Sequence, residues 1–398
     1  MKLNQGLHLA YCTNVHPGET WAETFESLNR WTLKIKERVA PRSAYAIGLR
    51  LSDQASRELS DGSQFLQFQR WLERHQCYVF TLNGFPFGRF HGGPVKEQVY
   101  APDWTDLARL DYTNRLFDLL EKLLPEGIEG SVSTLPGSFK EFIHGPDQLQ
   151  LIRNNIWKCV EHVARLSERT GRTLHLGLEP EPLGLFENST ETIRFFDELR
   201  AEHRGDARLD RHLGVNYDTC HFAVEFEEPK EAVARLRSQG IRLSKIHISS
   251  ALKLQPTAAA RTRLAAFAED VYLHQVIVRR PDGSLERFKD LPLALDYASK
   301  TEPADGEEWR VHFHVPLHCA APDLFETTAD HAVGLFGLLR ESPDLCSHLE
   351  METYTWSVLP NGLRTREVSE QIVSEYGWTL KRMSEHGLVP AEFIDTAQ

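Results

Sequence analysis

The sequence Leu174-His-Leu-Gly-Leu-Glu-Pro-Glu-Pro182 has the pattern of a buried strand of small and aliphatic residues that ends in a carboxylate, Glu179. A parallel strand that is covered on both faces is almost continuously apolar. An ionised Glu179 at the end of such a strand is costly unless it meets a metal ion, a cation or water. Pro180 lacks an N–H group, so sheet pairing should stop there and leave the carboxylate at the rim.

Three downstream stretches repeat this pattern of an apolar strand with a polar end. They are Leu213-Gly-Val-Asn-Tyr-Asp-Thr-Cys-His-Phe222, Ile241-Arg-Leu-Ser-Lys-Ile-His-Ile248 and His348-Leu-Glu-Met-Glu-Thr-Tyr-Thr355. Their polar ends are Asp218, His247, and either Glu350 or Glu352. These two glutamates are two residues apart and so point to the same side of the strand. We prefer Glu352 as the metal ligand, because it is nearer the C-terminal end of the strand, where barrel sites lie. Together with Glu179, the set indicates an oxygen and nitrogen site for one divalent cation.

The composition is that of a globular chain with a sizeable core. Of the 398 residues, 41% are hydrophobic and 26% are charged, and the formal net charge is −12. This acidic balance disfavours a nucleic-acid partner, which needs a basic surface. No run of about 18 apolar residues predicts a membrane span, and the N-terminus has no apolar signal core. Six cysteines without CxxC spacing indicate reduced thiols and a cytoplasmic location.

Alternating strand and helix patterns repeat along the chain and predict a barrel. Strands are expected at Gly6–Asn14, Ala44–Leu51, Cys77–Leu82 and Gly130–Pro136, and helices at Trp21–Val39, Leu107–Leu124, 149–163 and Lys230–Gln239. Seven βα units at intervals of roughly 35 residues favour a parallel sheet that closes as a (β/α)8 TIM barrel. A closing helix is expected over Thr365–Met383. We therefore predict one α/β domain over residues 1–398.

Residues 251–325 interrupt this repeat and predict an insertion between the seventh and eighth barrel strands, on the C-terminal face. Val276–Phe288 has the pattern of a β-hairpin, since Pro-Asp-Gly lies between two β-prone arms. Arg310–His318 is a strand-like run in which His312 and His314 face one side. These two histidines are predicted to line the pocket. A second metal site has no visible carboxylate partner, and a plain surface strand is the alternative.

The ligand candidates at the strand ends make the chain resemble the xylose-isomerase-like TIM barrels, and within them the metabolite-traffic protein EboE family. The strings that carry the resemblance are His8-Leu-Ala-Tyr-Cys-Thr-Asn-Val-His-Pro-Gly-Glu-Thr-Trp21, Gly177-Leu-Glu-Pro-Glu-Pro182, Asn216-Tyr-Asp-Thr-Cys-His221, His312-Phe-His-Val-Pro316 and Glu352-Thr-Tyr-Thr-Trp356. The resemblance implies a bacterial protein of secondary-metabolite biosynthesis or export. It carries the superfamily's metal ligands over to Glu179, Asp218, His247 and Glu352, and implies a substrate contact at His221.

Each of these residues also has a purely structural interpretation. Glu179 could pair with an arginine, Asp218 could cap a helix, and His221 and His247 could be buried neutral histidines. Glu181 is predicted to support the site from behind or to sit in a solvated turn, and Lys245 to pair with a carboxylate. Four further substrate contacts are expected. His16 follows the first strand and could contact a hydroxyl group or merely be solvated, His312 and His314 could contact substrate as pocket-lining residues, and Trp356 could stack on a ring or pack the loops.

The expected function is that of a divalent-metal-dependent isomerase or epimerase acting on a sugar, polyol or cyclitol. The cation (Mn, Zn, Mg or Co) would polarise a carbonyl and stabilise an enediolate, while Glu179 and Glu352 exchange the proton. A dehydratase acting on a cyclitol ketone is the nearest alternative, and a metabolite carrier without catalysis is the alternative of another class. An apurinic-site nuclease is disfavoured by the acidic balance. The expected partner is a small polar metabolite, and a homo-oligomer is compatible with these features.

Overall fold

Eight parallel strands form a barrel in the computed structural model, which describes residues 1–318, 324–360 and 367–394. The strands of these residues are, in chain order, β1 (His8–Tyr11), β2 (Tyr45–Arg50), β3 (Cys77–Asn83), β4 (Gly130–Thr134), β5 (Leu174–Leu178), β6 (Leu213–Asp218), β7 (Arg242–Ile248), β8 (Leu252–Leu254), β9 (Val276–Arg279), β10 (Leu285–Phe288), β11 (Glu308–Val311), β12 (Glu326–Thr327) and β13 (His348–Met351). The barrel order is β1-β13-β7-β6-β5-β4-β3-β2. The predicted (β/α)8 barrel is confirmed.

The barrel closes between β1 and β2. A parallel bridge joins Cys12 to Gly48 there, while β1 pairs along its whole length with β13 on the other side. All eight barrel strands consist of buried residues with few exceptions, as expected for strands covered on both faces. The carboxyl ends of β5, β6, β7 and β13 therefore meet at one mouth.

Helices cover the outside of the barrel and the insertion. They are α1 (Trp21–Ser27), α2 (Leu33–Val39), α3 (Asp53–Leu59), α4 (Gly62–Arg74), α5 (Leu107–Leu123), α6 (Pro146–Thr170), α7 (Ser189–Glu202), α8 (Ala207–His212), α9 (Thr219–Val224), α10 (Pro229–Ser238), α11 (Ala258–Leu264), α12 (Leu291–Lys300), α13 (Ala329–Glu341), α14 (Val368–Glu385) and α15 (Ala391–Ile394). The helix expected over Thr365–Met383 is α14, and residues 365 and 366 lie outside the described ranges.

A π-helical turn interrupts the first predicted helix. Leu28–Thr32 adopts this wider turn and joins α1 to α2 without a break in the chain. A π turn accommodates one extra residue and so shifts the side chains that follow it to another face. This shift explains why the apolar spacing over Trp21–Val39 departs from a regular helical period.

The insertion between β7 and β13 is more than a hairpin with loops. It forms a five-stranded antiparallel sheet in the order β10-β9-β11-β8-β12, and α11 and α12 pack against it. The expected hairpin is β9 and β10, with Gly283 in the turn at φ +85°. Trp309, Val278, Leu264 and Leu291 belong to the apolar core of this sheet. The fold thus gives the insertion a core of its own.

The strand-like run at Arg310–His318 ends earlier than predicted. β11 stops at Val311, and the N–H of Phe313 donates to the Val311 carbonyl (2.8 Å) in a tight turn. The chain then crosses to the barrel, where the Val315 N–H donates to the Ser250 carbonyl (2.8 Å). His312 and His314 therefore lie on a crossing segment between the two sheets, and not on one face of a strand.

Five cysteines lie within the described ranges, and each is a buried free thiol: Cys12, Cys77, Cys159, Cys220 and Cys346. Cys319, the sixth, falls outside the described residues. Over the part of the chain that the structure covers, none of the helices combines the length and apolar character needed to cross a bilayer.

Candidate metal centre

Four side chains from separate strand ends converge at the mouth of the barrel. Glu179 follows β5, Asp218 ends β6, His247 lies near the end of β7, and Glu352 follows β13. All four are buried, and one ligand atom from each lies within 4.8 Å of the other three. Residues that are far apart in sequence thus form one compact set of three carboxylates and one imidazole.

The two carboxylate oxygens of Asp218 have different surroundings. Oδ1 accepts hydrogen bonds from the N–H groups of Cys220 (2.7 Å) and His221 (3.1 Å) and so caps α9. The Ser249 hydroxyl donates to the same oxygen at 2.5 Å. Oδ2 lies 3.6 Å from His247 Nδ1 and has no hydrogen-bond partner among the described residues. One carboxylate thus caps the helix with one oxygen and presents the other to the cluster, so the two interpretations of Asp218 do not exclude each other.

His247 is oriented from behind by Glu350. Its Nε2 lies 2.8 Å from Glu350 Oε2, which also accepts a hydrogen bond from the Lys245 ammonium at 2.6 Å. With Nε2–H donating to this carboxylate, Nδ1 faces Glu179, Asp218 and Glu352. Although burial raises the pKa of Glu350, Lys245 and His247 lower it to about 2, so that the carboxylate stays ionised. Glu352, just after β13, thus belongs to the cluster, and Glu350, within β13, supports it.

Two asparagines hold Glu352 in place. The side-chain amides of Asn14 and Asn83 donate to Glu352 Oε1 at 2.8 and 2.9 Å. The other oxygen, Oε2, lies 3.1 Å from His247 Nδ1. Asn14 and Asn83 follow or end β1 and β3, so barrel closure brings them to the same mouth. Sequence reasoning did not identify them.

The cluster carries an excess of negative charge that fits a cation. Burial alone lowers the pKa of His247, but the charges of Glu352 and Glu179 raise it well above its ordinary value. Burial alone raises the pKa of Glu352, and His247 more than offsets this, so that the pKa is lowered. Within the described ranges Glu179 Oε2 is, like Asp218 Oδ2, without a hydrogen-bond partner. Buried unpaired carboxylate oxygens that converge in this way are suited to a divalent ion.

A pocket opens directly above this cluster. Glu179, Glu352, Asn14 and Glu181 form its polar floor. Its apolar wall is built from aromatic side chains, namely Phe85, Phe90, Tyr100, Tyr272 and Tyr354. The empty volume, which includes open solvent at the mouth, is about 540 Å³. The insertion contributes Tyr272, Leu273, Gln275 and His312 to the lining.

Two of the five predicted substrate contacts line this pocket, namely His221 and His312. His16 instead stacks on Trp31 with ring centres 4.7 Å apart and hydrogen-bonds the Tyr11 hydroxyl (3.0 Å). Trp356 packs into the apolar core of the insertion. The position of Trp356 corresponds to its packing alternative, whereas His16 is buried and so is neither a pocket residue nor solvated.

His314 lies behind the metal cluster and does not line the pocket. Its Nδ1–H donates to the backbone carbonyl of Glu352 at 2.7 Å. Its ring lies 4.7 Å from that of Tyr354, a wall residue. The structure therefore places His314 where it can position Glu352, in contrast to the predicted substrate contact.

Glu181 is buried in the pocket and does not lie in the solvated turn that was one of its two predicted positions. Burial raises its pKa to about 8; His221 opposes this effect, and Glu179 adds to it. His221 donates from Nδ1 to the Pro180 carbonyl at 2.9 Å. Burial lowers the pKa of His221, but the carboxylates of Asp218 and Glu181 outweigh this effect and raise it. The pocket thus holds several groups able to exchange protons next to the cluster.

Comparisons with known proteins identify structural likenesses only. No protein-family model matches the chain, and no curated protein matches it in sequence. Among solved structures, the chain is similar to an IolI protein with a bound zinc atom, at 11% identity over 95% of this chain and 98% of that one, with a TM-score of 0.46. It is also similar to an L-ribulose 3-epimerase, at 14% identity over 69% and 80% of the two chains, with a TM-score of 0.39.

A third similar structure is the probable 3-DHS dehydratase AsbF from Bacillus anthracis, at 11% identity over 76% of this chain and 90% of that one, with a TM-score of 0.40. These likenesses are weak. The assignment of a (β/α)8 barrel rests on the strand order and register of the chain itself.

Proposed function

We propose that this protein is a divalent-metal-dependent isomerase or epimerase of a sugar or cyclitol that carries a carbonyl group. The observation that carries the proposal is the convergence of Glu179, Asp218, His247 and Glu352 within 4.8 Å, with Glu179 and Glu352 lining a pocket. A divalent cation held by these four side chains would supply Lewis-acid stabilisation of charge on a substrate oxygen.

Glu179 and Glu352 have the environments expected of a base and its partner acid. Both carboxylates line the pocket. Glu179 Oε2 is free of hydrogen bonds from the described residues, so it can accept a proton from a substrate carbon. Glu352 is fixed by Asn14 and Asn83, so its orientation is set before substrate binds. The two carboxylates would exchange a proton with the carbon next to the carbonyl.

The pocket favours a small polar ring as substrate. Its aromatic wall can cover the C–H face of a sugar or cyclitol, while the polar floor contacts hydroxyl groups. The resemblance to the EboE family leads us to place this reaction in bacterial secondary-metabolite biosynthesis or export, in the cytoplasm. The quoted sequence strings alone support this placement.

Deuterium exchange tests the reaction. The metal-loaded protein is incubated with keto-sugars and ketocyclitols in D2O, and deuterium at the carbon next to the carbonyl is followed by NMR. Glu179→Gln should abolish exchange, whereas Glu73→Gln, on an exposed helix position, should leave it unchanged. Wild-type exchange rates in Glu179→Gln with normal metal content would reject the assignment.

A dehydratase is the second candidate, and Glu181 is the observation that favours it. A buried carboxyl with a pKa of about 8 is protonated at neutral pH and can donate a proton to a leaving hydroxyl. Mass spectrometry separates the two reactions, because dehydration gives a product lighter by one water. Tight binding without isotope exchange or mass change would instead identify a metabolite carrier.

A further inference from the structure

The pocket above the cluster holds one buried carboxylate that the proposed metal site does not use. Glu181 lies in the loop after β5, its side chain is only 9% exposed, and it lines the pocket. Its Oε2 atom has no hydrogen-bond partner in the described part of the chain. A buried polar atom of this kind is normally satisfied by protein, by water or by a bound group. Glu181 thus offers an unused acceptor to the molecule that occupies the pocket.

No lysine or arginine of the described pocket lining is free to pair with Glu181. Lys96 is the only such residue among them, and its ammonium donates to Asp290 (2.7 Å) and to the Glu269 carbonyl (2.9 Å). His312 Nδ1 lies 3.7 Å from Glu181 Oε1. Burial lowers the pKa of His312 well below its ordinary value, so its ring stays neutral. The counter-charge for Glu181 therefore has to come with the ligand.

The cluster beneath the pocket leaves this surplus of negative charge in place. A divalent ion would balance two of its three carboxylates, which belong to Glu179, Asp218 and Glu352. His221 lies beside the same carboxylates, with Nδ1 3.8 Å from Glu179 Oε1 and Nε2 3.9 Å from Asp218 Oδ2. A positive charge on this ring is therefore balanced by the cluster. With Glu181 added, the pocket repels a phosphate or carboxylate group and attracts a cation.

The aromatic wall of the pocket is suited to an organic cation. Phe90, Tyr272 and Tyr354 lie against one another, with ring centres between 5.0 and 5.3 Å apart. Tyr100 lies near the carboxylate, because burial raises the pKa of its hydroxyl and the charge of Glu181 adds to this effect. Aromatic faces attract a ligand ammonium by cation–π interaction. A carboxylate beside such rings adds a charge-assisted hydrogen bond.

We propose that the metabolite is an amine, an amino sugar or aminocyclitol whose ammonium group binds between Glu181 and the aromatic wall. The inference rests on the proposed function, since it names the substrate class of the same pocket. The ammonium would donate a hydrogen bond to Glu181 Oε2, while carbonyl and hydroxyl oxygens face the cluster. Its positive charge would favour the ionised form of Glu181, which then no longer serves as the acid of the dehydratase alternative. Phosphorylated sugars would be rejected by the same charges.

Binding of matched ring compounds tests the proposal. The full-length, metal-loaded protein is titrated by calorimetry with two pairs, aminocyclohexanol against cyclohexanediol and glucosamine against glucose, and with glucose-6-phosphate. The amine of at least one pair should bind roughly 10- to 100-fold more tightly than its hydroxyl counterpart, the range expected for a hydrogen bond between charged groups. Glucose-6-phosphate should bind more weakly than glucose. Glu181→Gln should remove the preference for the amine, while its metal content, measured by mass spectrometry, stays normal.

Glu97→Gln is the matched control, because the Glu97 side chain is 34% exposed and does not line the pocket. This variant should keep the preference for the amine, and circular dichroism checks that both variants are folded. An equal loss of preference in Glu97→Gln and Glu181→Gln would overturn the proposal. Amines that bind no more tightly than their hydroxyl counterparts in both pairs, or glucose-6-phosphate that binds more tightly than glucose, would also overturn it, with wild type alone. Amine preference without deuterium exchange would uphold the amine site and reject the proposed reaction, and exchange without amine preference would do the reverse.

Discussion

Glu350→Gln should both destabilise the barrel and weaken metal binding. Glu350 is fully buried, and its Oε2 accepts hydrogen bonds from Lys245 (2.6 Å) and from His247 (2.8 Å). The Lys245 side chain is only 1% exposed. Replacing the carboxylate with a neutral amide leaves this ammonium buried without its counter-charge and removes the group that orients His247.

Removing one partner of a buried ion pair costs about 3–5 kcal/mol. Because the glutamine oxygen can still accept one hydrogen bond, we expect the lower end, about 3 kcal/mol, a large share of a typical folding free energy. Adding Lys245→Met removes the stranded charge and should bring stability back to within about 1 kcal/mol of wild type. Loss of the carboxylate behind a ligating histidine should weaken metal affinity roughly 10- to 100-fold, and Lys245→Met should not restore it.

Urea unfolding with a chelator present measures the stability of each variant apart from metal binding. Calorimetric titration with Mn²⁺ then measures affinity. Glu73→Gln, at an exposed position, is the matched control for both assays. If Glu350→Gln unfolds within about 0.5 kcal/mol of wild type, the range of ordinary surface substitutions, and binds Mn²⁺ normally, the pairing with Lys245 and the support of His247 are both refuted.

Three further outcomes are expected. Burial raises the pKa of Glu375 to about 7, against roughly 4.3 in an unfolded chain, so wild type loses stability as the pH rises between these values. Glu375→Gln should therefore raise the free energy of unfolding, measured in urea, by on the order of 3 kcal/mol at pH 8.5 and by about a third of that at pH 5. Gly48→Ala would place a methyl group 2.0 Å from Glu350 Oε1 and should lower the free energy of unfolding by about 1–3 kcal/mol. Gly62→Ala, where the added methyl has no atom within 4 Å, should leave the melting temperature unchanged or slightly raised. An equal loss of stability in both variants would count against the close approach at Gly48. Mn²⁺ at about 100 times its Kd should stabilise wild type by about 3 kcal/mol and Glu352→Gln much less, and an equal rise in both melting temperatures would contradict Glu352 as a ligand.

The barrel and most of its metal cluster follow from local patterns. Glu179, Asp218 and His247 each stand at the end of an apolar strand, and parallel strands bring such ends to one mouth. Glu350 and Glu352 point to the same side because they are two residues apart, so only their order along the strand favoured Glu352. The pairing of β13 with β7 sets Glu350 beside His247, deeper in the barrel.

The remaining site residues depend on contacts that no local pattern encodes. Asn14 and Asn83 are of a type common in turns, and nothing in their neighbourhoods marks them as partners of Glu352. The sheet of the insertion was missed for a similar reason. Its strands β8, β11 and β12 have three, four and two residues, too few for a period of two to stand out, and their pairing joins distant stretches.

The insertion has a practical consequence for how this protein can diversify. Because it has its own apolar core and lines the pocket with Tyr272 and Gln275, its sequence can vary while Glu179, Asp218 and Glu352 stay unchanged. If the proposed function holds, replacing the insertion on the same barrel would change which metabolite is accepted without changing the cluster residues.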